Sequence, residues 1–435
     1  MTNSIEDVCE KSQVIFLIGS NPEEAHPVMG MRIRRAVERG AKLIVVDPRS
    51  IWLAGKADIH LKLAPGTNVA LLNGMVNAII REGLYDREFV ESRTEGFEEL
   101  KAAVADYTPE RVAEICGVDA RDIVSAARMY AQVDRASIVY CLGVVEHTTG
   151  TEGVMAISNL AMVAGKLGKP GCGVNPLRGQ NNVQGACDMG AGPADFTGYQ
   201  KVANPDARAK FEAAWGVTLN TAPGLKATEC FPAMIDGRVK GLFLFGEDPV
   251  RTDPDTSHVI RALKSLDFLV VEELFLTETA KYADVVLPGR SYAEKEGTFT
   301  NTERRVQRVR RAVAGPAGPR LDTDVFAEIM RRMGYDQPTL TSAQIMDEVA
   351  SLTPSYAGIN HARLDSDVVA GRGLQWPCKG SDDLGTPIMH VGEFARGLGA
   401  FSFSPFRPSA ELPSAEFPLT MMTGRVLAQY NACAM

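Results

Sequence analysis

Residues 14–22 read VIFLIGSNP, an uninterrupted apolar run that ends at a glycine and a proline-containing turn. Apolar side chains at helical spacing follow at Met29, Ile33 and Val37, and residues 43–49 then read LIVVDPR. A strand, a turn, a helix and a second strand in this order predict a βαβ unit. The two strands of such a unit lie parallel in one sheet, and their continuous apolar runs indicate burial on both faces.

The second half of the chain repeats this pattern. Residues 242–249 read LFLFGEDP and residues 268–273 read FLVVEE, so both strands of the first unit have counterparts. Residues 283–289, ADVVLPG, correspond in the same way to residues 57–61, ADIHL. Three matches in the same order predict two related α/β units rather than a chance similarity.

The remaining segments complete a prediction of the architecture. Helices are predicted over 68–82, 109–132, 152–167 and 323–333, a strand over 138–142, a loop-rich region over 352–415 and another strand over 418–425. The predicted fold class is α/β, with two related doubly wound, mostly parallel-sheet domains, a loop-rich segment and the start of a truncated C-terminal β domain. The predicted domain boundaries are 1–180, 181–292, 293–410 and 411–435.

Composition excludes several classes of protein. The chain has 435 residues, of which 46 are Lys or Arg and 54 are Asp or Glu, and the net charge of −8 argues against a general affinity for nucleic acid. No apolar stretch is long enough to span a membrane, and the first residues lack the character of a signal peptide, so a cytoplasmic protein is predicted. The eight cysteines include no C-x-x-C pair, and no metal ligand is assigned in this chain.

Candidate ligand-binding residues follow the predicted parallel strands, because ligands of open α/β sheets bind beyond the carboxyl ends of the strands. Glycine lets the backbone approach a pyrophosphate, and an acid 28 residues later in one unit and 26 in the other can accept hydrogen bonds from ribose or from a guanine edge. The alternative is that these are ordinary turns, but their duplication favours two nucleotide-like ligands. No G-x-G-x-x-G motif occurs, so a standard NAD site is not supported. The residues are Gly19, Asn21, Asp47 and Arg49 in the first unit and Gly246, Glu247, Asp248 and Glu272 in the second.

Residues 171–190 form the most unusual segment, rich in glycine, asparagine and glutamine and containing one arginine, Arg178. Amide side chains both donate and accept hydrogen bonds, which suits contact with a cofactor that is rich in polar atoms. A single guanidinium can bind a small carboxylate through two parallel hydrogen bonds. A polar loop between domains is the alternative interpretation.

Three segments carry a resemblance to a known family: GSNPEEAHP at 19–27, RGQNNVQGACDMG at 178–190 and AEKEGTFTN at 293–301. They resemble the molybdopterin oxidoreductase family, and within it they are most similar to formate dehydrogenase catalytic subunits. The resemblance implies two molybdopterin guanine dinucleotides holding Mo or W, one dinucleotide on each α/β unit. It also implies oxidation of formate to CO₂, or the reverse, with electrons passing to iron–sulfur subunits or domains.

Carried over by position, the resemblance makes Arg178 the catalytic arginine that orients formate. The cofactor-binding residues that it adds are Gly66, Asn68, Gly143, Gly179, Gln180, Ser291, Thr423 and Arg425. The family's N-terminal segment with a 4Fe-4S cluster and a Cys or selenocysteine ligand, and most of its C-terminal domain, have no counterpart in this sequence, so a central fragment is predicted. Alternatives are a nitrate reductase of the same family and a large respiratory-complex subunit that keeps the fold without the cofactor.

Overall fold

The computed structural model describes residues 1–369 and 371–429. The chain divides into two compact units, of which the first comprises Met1–Gly179 and Pro387–Ala428 and the second is built on Gln180–Thr386. Each unit contains its own parallel sheet. The α/β fold class predicted from the sequence is therefore confirmed.

The strands are β1 (Val14–Ile18), β2 (Lys42–Val46), β3 (Ile59–Leu61), β4 (Thr94–Glu95), β5 (Ala136–Tyr140), β6 (Gly173–Pro176), β7 (Asp195–Phe196), β8 (Gln200–Lys201), β9 (Gly241–Phe245), β10 (Phe268–Glu273), β11 (Val285–Pro288), β12 (Gly297–Thr300), β13 (Arg305–Val309), β14 (Leu374–Gln375) and β15 (Gly399–Ala400). The helices of the first unit are α1 (Ile5–Lys11), α2 (Pro22–Ala25), α3 (Pro27–Glu38), α4 (Asn68–Arg81), α5 (Arg87–Arg93), α6 (Phe97–Ala103), α7 (Pro109–Cys116), α8 (Ala120–Gln132), α9 (Leu142–Val145) and α10 (Gly150–Val163). Those of the second unit are α11 (Val183–Asp188), α12 (Pro205–Trp215), α13 (Ala227–Ile235), α14 (Pro249–Thr252), α15 (Thr256–Lys264), α16 (Asp322–Arg332), α17 (Ser342–Leu352) and α18 (His361–Leu364).

The first unit is built on a five-stranded sheet in the order β3-β2-β1-β5-β6, with all neighbours parallel. Every residue of β1 is buried, as its unbroken apolar run predicts. Phe16 and Ile18 point to the face covered by α4, α8 and α10, and Ile15 and Leu17 point to the face covered by α1 and α3. The predicted βαβ unit is confirmed.

One predicted helix is interrupted. The segment 109–132 forms α7 and α8 instead of a single helix, because Gly117 adopts a left-handed conformation with φ 71° and ends α7. Asp119 then caps α8 by accepting a hydrogen bond from the amide of Arg121 at 2.8 Å. The predicted strand at 138–142 begins earlier and ends at Tyr140, since Leu142 starts the short helix α9.

The second unit contains a three-stranded parallel sheet in the order β11-β10-β9, which corresponds to β3-β2-β1. The correspondence extends to individual hydrogen bonds. Asp58 accepts from the amide of Leu43 at 2.9 Å, and Asp284 accepts from the amide of Leu269 at 2.7 Å. These matched bonds confirm the internal repeat, with a carboxylate that anchors the same position of the second strand in each unit.

The units differ in extent from the predicted domains. Residues 293–386 belong to the second unit. Within this segment β13 pairs with β12 and β14, and the side chains of Tyr356 and Trp376 donate hydrogen bonds to Asp188 of α11. Residues 387–428 belong to the first unit, where β15 pairs with β4. The prediction of a strand at 418–425 is wrong, because these residues form no regular secondary structure and are mostly exposed. Among the described residues they have no neighbouring strand with which to pair. Residues 430–435 of the predicted C-terminal domain lie outside the described residues.

Across residues 1–369 and 371–429 no helix combines the length and the apolar character that crossing a membrane requires.

Candidate functional site

The first unit has a crevice where β1 and β5 end. This is the point at which the strand order changes direction, the usual position of the ligand in a doubly wound fold. Gly19 has φ 57° and donates its amide hydrogen to the carbonyl of Val46 at 2.9 Å, while the amide of Gly143 donates to the carbonyl of Gly19 at 3.0 Å. A Cβ atom on Gly19 would lie 2.6 Å from the carbonyl carbon of Gly143. Both glycines are therefore required for the two loops to touch.

Two side chains converge on the same glycine. Asn68, the first residue of α4, donates to the carbonyl oxygen of Gly143 at 3.1 Å, and Nε2 of His147 lies 3.0 Å from that oxygen. Gly66, with φ 84°, precedes α4, and a Cβ there would lie 2.5 Å from the hydroxyl of Ser409. A cavity of about 400 Å³ opens beside these residues, lined by Glu146–Thr149, Arg407 and Ser409–Glu411.

Asp47 follows β2 and is only 3% exposed. Its Oδ1 accepts hydrogen bonds from the backbone amide of Arg49 at 2.8 Å and from Nε of Arg49 at 3.3 Å. The other carboxylate oxygen, Oδ2, accepts no hydrogen bond from the described part of the chain. The structure thus places Asp47 and Arg49 together at the carboxyl end of β2, as the sequence predicted.

Arg178 lies just after β6, half-buried, at the same edge of the first sheet. Burial raises the pKa of the adjacent Tyr140 to about 12, although the positive charge of Arg178 acts in the opposite direction. A Cβ on Gly179 would lie 3.5 Å from Nη2 of Arg425. Burial also lowers the pKa of His26, and the charge of Arg425 contributes to this decrease.

Two arginine side chains lie against glycines near this edge of the first sheet. Gly424 faces the guanidinium of Arg49 so closely that a Cβ would collide with it, and Gly179 faces Arg425. Thr423, the residue before Gly424, is exposed. Asn21 caps α2 through its carbonyl, which accepts from the amides of Glu24 and Ala25. The arrangement can bind a ligand with several negative charges.

The second unit has an equivalent crevice at the ends of β9 and β10. Gly246 has φ 64° and donates to the carbonyl of Glu272 at 3.0 Å, which repeats the bond from Gly19 to Val46. Asp248 is buried, and its Oδ1 accepts from the amide and the hydroxyl of Thr279 at 2.9 and 2.6 Å. Asp248, which was predicted to bind the cofactor, therefore uses Oδ1 to anchor Thr279 in the loop after β10.

The other predicted residues of the second unit lie at the ends of its loops. Glu247 is exposed beside Asp248. Ser291 caps the short 3₁₀ turn at 292–294 in a capping box, and its amide donates to Glu294 at 2.9 Å. Gln180, half-buried, begins the second unit.

Strand register corrects the predicted correspondence between the two acids. Ile18 pairs with Val46 in the first unit, and Phe245 pairs with Glu272 in the second, so Glu272 is the counterpart of Val46. The counterpart of Asp47 is Glu273, which follows by one residue and is half-buried. The sequence signal of this one-residue shift was the distance from each acid to the aspartate that follows it. That distance is 11 residues from Asp47 to Asp58 and 12 from Glu272 to Asp284, but 11 from Glu273.

Glu272 is 1% exposed and points to the side of the sheet that carries α16. Neither of its carboxylate oxygens has a hydrogen-bond partner in the described part of the chain. Burial raises the pKa of Glu272 to about 7, assisted by the charge of Asp322 and partly offset by Lys295, which forms an ion pair with Asp322. The protonated form of this buried acid therefore predominates up to about pH 7.

Asp188 connects residues 180–190 to the rest of the second unit, a role that sequence reasoning did not assign. It is fully buried, and its carboxylate accepts four hydrogen bonds of 2.6–2.8 Å, from Gln184, Tyr199, Tyr356 and Trp376. The sequence signal was a lone acid in a run of glycine and amide residues. Asp188 and Gln184 thus support the structure of this segment.

Asn182 anchors the other end of α11. It has φ 57°, and its side-chain oxygen accepts from the amide of Thr300 at 2.9 Å. Gly185 lies so close to this oxygen that a Cβ would collide with it. The segment between Gln180 and Gly190 is therefore attached to β12 as well as to Asp188.

The two strand-end glycines provide a matched prediction. Both have left-handed φ angles, but a Cβ on Gly246 would meet nothing within 4 Å, whereas on Gly19 it would collide with the backbone at Gly143. We expect Gly246→Ala to lower the free energy of unfolding by about 1 kcal/mol and Gly19→Ala by about 3 kcal/mol. Urea unfolding of both variants measures the difference, and equal losses would contradict the close contact.

A second prediction concerns pH. The folded state keeps the proton of Glu272 up to about pH 7, whereas the unfolded chain releases it near pH 4.5, so this residue makes the fold less stable as the pH rises between these values. Glu272→Gln removes the titrating group. We therefore expect the free energy of unfolding of this variant, relative to that of the unaltered protein, to increase between about pH 4.5 and pH 7 and to stay constant above that. Thermal unfolding at pH 4, 6 and 8 tests this, with Glu273→Gln as a control from the same strand. A constant difference at all three pH values would contradict it.

In the described residues no group of three or more His, Cys, Asp or Glu side chains is arranged to hold a metal ion.

Two related crevices with glycine-lined backbone contacts and following acids are typical of a protein that binds two dinucleotides. A profile of the Molybdopterin oxidoreductase family matches residues 1–332, and the chain belongs to this family. Membership implies a molybdopterin cofactor with Mo or W. Gly19 and Gly143 touch so closely that neither position has room for a Cβ, and the bare backbone that they present at the crevice fits such a group.

Similar proteins are named formate dehydrogenases. The chain is 48% identical over its whole length to the "F₄₂₀-dependent formate dehydrogenase subunit alpha" of Methanocaldococcus jannaschii and covers 64% of it. It is 40% identical to "Formate dehydrogenase H" of Escherichia coli, covering 61% of that protein. Among solved structures, acetylene hydratase from Pelobacter acetylenicus is similar with a TM-score of 0.64 and 26% identity, over 82% of this chain and 53% of that one. The chain thus spans less than two thirds of the length of these relatives.

Proposed function

We propose that the full-length protein containing this chain is the catalytic subunit of a formate dehydrogenase, which oxidises formate to CO₂ or catalyses the reverse reaction. The observation that carries the proposal is the 40–49% identity, over the whole chain, to proteins that are named formate dehydrogenases. Arg178, half-buried at the crevice edge of the first sheet, supports it, since a guanidinium is suited to bind a carboxylate.

The cofactor is proposed to be bis-molybdopterin guanine dinucleotide, which supplies the redox chemistry at Mo or W when bound. One dinucleotide would lie in the crevice of each unit. In the first unit the backbone of Gly19 and Gly143 admits the pyrophosphate, the basic residues Arg49 and Arg425 balance its charge, and Asp47 accepts from the guanine or ribose.

In the second unit, Gly246, the exposed Glu247 and Ser291 are proposed to contact the second dinucleotide. Register makes Glu273 the counterpart of Asp47, so we propose that Glu273 contacts the second guanine dinucleotide. The sequence prediction of Glu272 as a direct ligand is kept as a competing proposal, although its carboxyl is 1% exposed. Electrons would leave through iron–sulfur subunits or domains, and a 4Fe-4S cluster is proposed outside these 435 residues.

Arg178 would bind formate by two parallel hydrogen bonds to its carboxylate and so fix the orientation of the substrate. Arg178 as a whole is half-buried, and any loss of hydration at its guanidinium would strengthen the attraction for the anion.

The experiment is to produce the full-length protein with molybdate or tungstate and to measure formate-dependent dye reduction, metal content and guanine nucleotide released by acid. We expect formate oxidation and two guanine nucleotides for each metal atom. Nitrate reduction without formate oxidation would identify a nitrate reductase, and absence of both metal and nucleotide would identify a structural subunit. Either result overturns the proposal.

A further inference from the structure

One outer face of the first unit is strongly basic. Residues 31–56, which run from α3 through β2 to the turn that follows it, contain seven Lys or Arg and two Asp or Glu, in a chain whose net charge is −8. The corresponding residues of the second unit, 257–282, contain three Lys or Arg and four Asp or Glu. The basic character is therefore not a requirement of the fold that the two units share.

The helix α3 carries this charge on its solvent side. Met29, Ile33 and Ala36 bury the opposite side against the sheet. Arg32, Arg35 and Arg39 repeat at helical spacing on the outer side, where the last two are exposed and Arg32 is half-buried. In the described part of the chain, none of these three guanidinium groups forms an ion pair with a carboxylate.

An exposed tryptophan lies beside these arginines. Trp52 is 44% exposed, and its ring centre lies 5.0 Å from the guanidinium carbon of Arg34 and 5.5 Å from Nζ of Lys56. Two cation–π contacts thus hold the indole in place at the surface. Met31 of α3 is also 44% exposed. We call the following residues the α3 surface: Met31, Arg32, Arg35, Arg39, Trp52 and Lys56.

The cofactor crevice does not account for this charge. The strands β1 and β2 end at the crevice, and α3 runs back from the end of β1 to the start of β2. Nη2 of Arg39 accordingly donates a hydrogen bond at 3.0 Å to the carbonyl of Cys9, in the helix that precedes β1. Arg35 and Arg39 therefore lie towards the edge of the sheet opposite the crevice, too far along α3 to balance the charge of a ligand at Gly19.

The composition of the α3 surface is typical of a protein–protein interface. Trp, Met and Arg are enriched in the buried centres of such interfaces, and Trp and Arg dominate the residues whose loss weakens binding most. The cations of α3 and of its C-terminal cap are all arginine. An anionic membrane would be bound through a wide apolar helix face, but the apolar face of α3 packs against the sheet.

We propose that the α3 surface docks a separate polypeptide that has an acidic face. Carboxylates of that partner would pair with Arg32 and Arg35, and an apolar pocket between them would receive Trp52. A second copy of the same surface is excluded as the occupant, because a twofold axis would bring like charges together. The inference is independent of the proposed catalytic function, since none of these residues is assigned to substrate or cofactor.

Cross-linking of the native complex tests the docking position. The full-length protein is isolated from its own organism in about 50 mM NaCl and treated with a carbodiimide, which joins a lysine amine to a carboxyl group in direct contact. We expect Lys56 to be joined to an Asp or Glu of another polypeptide. Lys264 is the matched control, because its Nζ lies 5.8 Å from the ring centre of Tyr282 in the second unit, and we expect no intermolecular product there. Absence of a co-purifying polypeptide, or products at Lys56 within the chain only, overturns the proposal.

Substitution tests the contribution of charge and of the indole to this complex. With the cross-linked polypeptide as the ligand, we expect Arg32→Glu/Arg35→Glu to raise the Kd at least about 30-fold and Trp52→Ala about 10-fold or more. The control Arg261→Glu/Lys264→Glu on α15 should change the Kd less than about 2-fold. The midpoint of thermal unfolding of each variant shows that it is folded. A Kd that is unchanged in both α3 variants overturns the proposal.

Vesicles of phosphatidylcholine and phosphatidylserine in a 7:3 ratio test the competing partner. We expect the full-length protein to remain in the supernatant when these vesicles are sedimented in about 100 mM NaCl. Sedimentation that is lost in Arg32→Glu/Arg35→Glu would assign the α3 surface to an anionic membrane and would overturn a protein partner.

Discussion

Replacement of Asp188 by alanine is expected to lower the free energy of unfolding by about 3–5 kcal/mol, the largest stability effect predicted for any single position here. Four donors converge on this fully buried carboxylate, and all would lose their acceptor at once. The Trp376 indole cannot rotate to find another partner, whereas the hydroxyls of Tyr199 and Tyr356 can turn. Urea unfolding monitored by tryptophan fluorescence measures the loss.

Two further variants define the origin of this effect. Asp188→Asn keeps one acceptor oxygen, so we expect a smaller loss of about 2 kcal/mol, and Tyr356→Phe removes a single donor and should cost about 1 kcal/mol. Asp236→Ala in the same unit removes an exposed ion pair with Arg238 and should have little effect. If Asp188→Ala were as stable as Asp236→Ala, the four hydrogen bonds would not hold the segment.

Replacement of Arg178 by lysine in the full-length protein is expected to decrease kcat/KM for formate about 100-fold, on the proposed function. Lysine keeps the positive charge but cannot form two parallel hydrogen bonds with a carboxylate. The lost transition-state stabilisation corresponds to about 2.7 kcal/mol. Steady-state kinetics with an artificial electron acceptor measure the change.

The metal and guanine nucleotide contents of the variant show whether it binds formate in the wrong orientation or has lost the cofactor. We expect both contents to be unchanged in Arg178→Lys. Arg121→Lys is the matched control, since Arg121 is an exposed arginine that pairs with Asp119 at the start of α8, remote in sequence from the crevice residues. An unchanged kcat/KM would remove Arg178 from the substrate site, and a parallel loss of nucleotide would assign it to the cofactor instead.

The strands of the first unit could be recognised in the amino-acid sequence because burial on both faces requires continuous apolar runs, as at 14–18 and 43–46. Similar apolar runs at 242–245 and 268–271 made the strands of the second unit recognisable as well. The repeat was also visible, since its turns need glycine at the same positions, Gly19 and Gly246. The helix 68–82 was predictable from its periodicity and is found at 68–81. These features are local, so a short window of sequence contains the physical cause of each.

Features that depend on distant partners required the folded structure. Counting residues between turns aligned Asp47 with Glu272, and the hydrogen-bond register of β9 and β10 was needed to show that Glu273 is the true counterpart. The predicted strand at 418–425 failed for a related reason, because a strand is stable only beside another strand and this segment has no neighbour among the described residues.

Asp188 and the open edge of β9 are the clearest cases. The donors to Asp188 come from positions up to 188 residues away in the chain, and no local pattern announces which buried acid will collect them. Within residues 1–369 and 371–429, β1 has β5 beside it and its counterpart β9 has no such neighbour, a difference that only the comparison of the two folded sheets shows. Local apolar spacing thus specified the strands, helices and turns, whereas register, buried hydrogen bonding and uncovered surface arose from contacts between residues that are distant in the sequence.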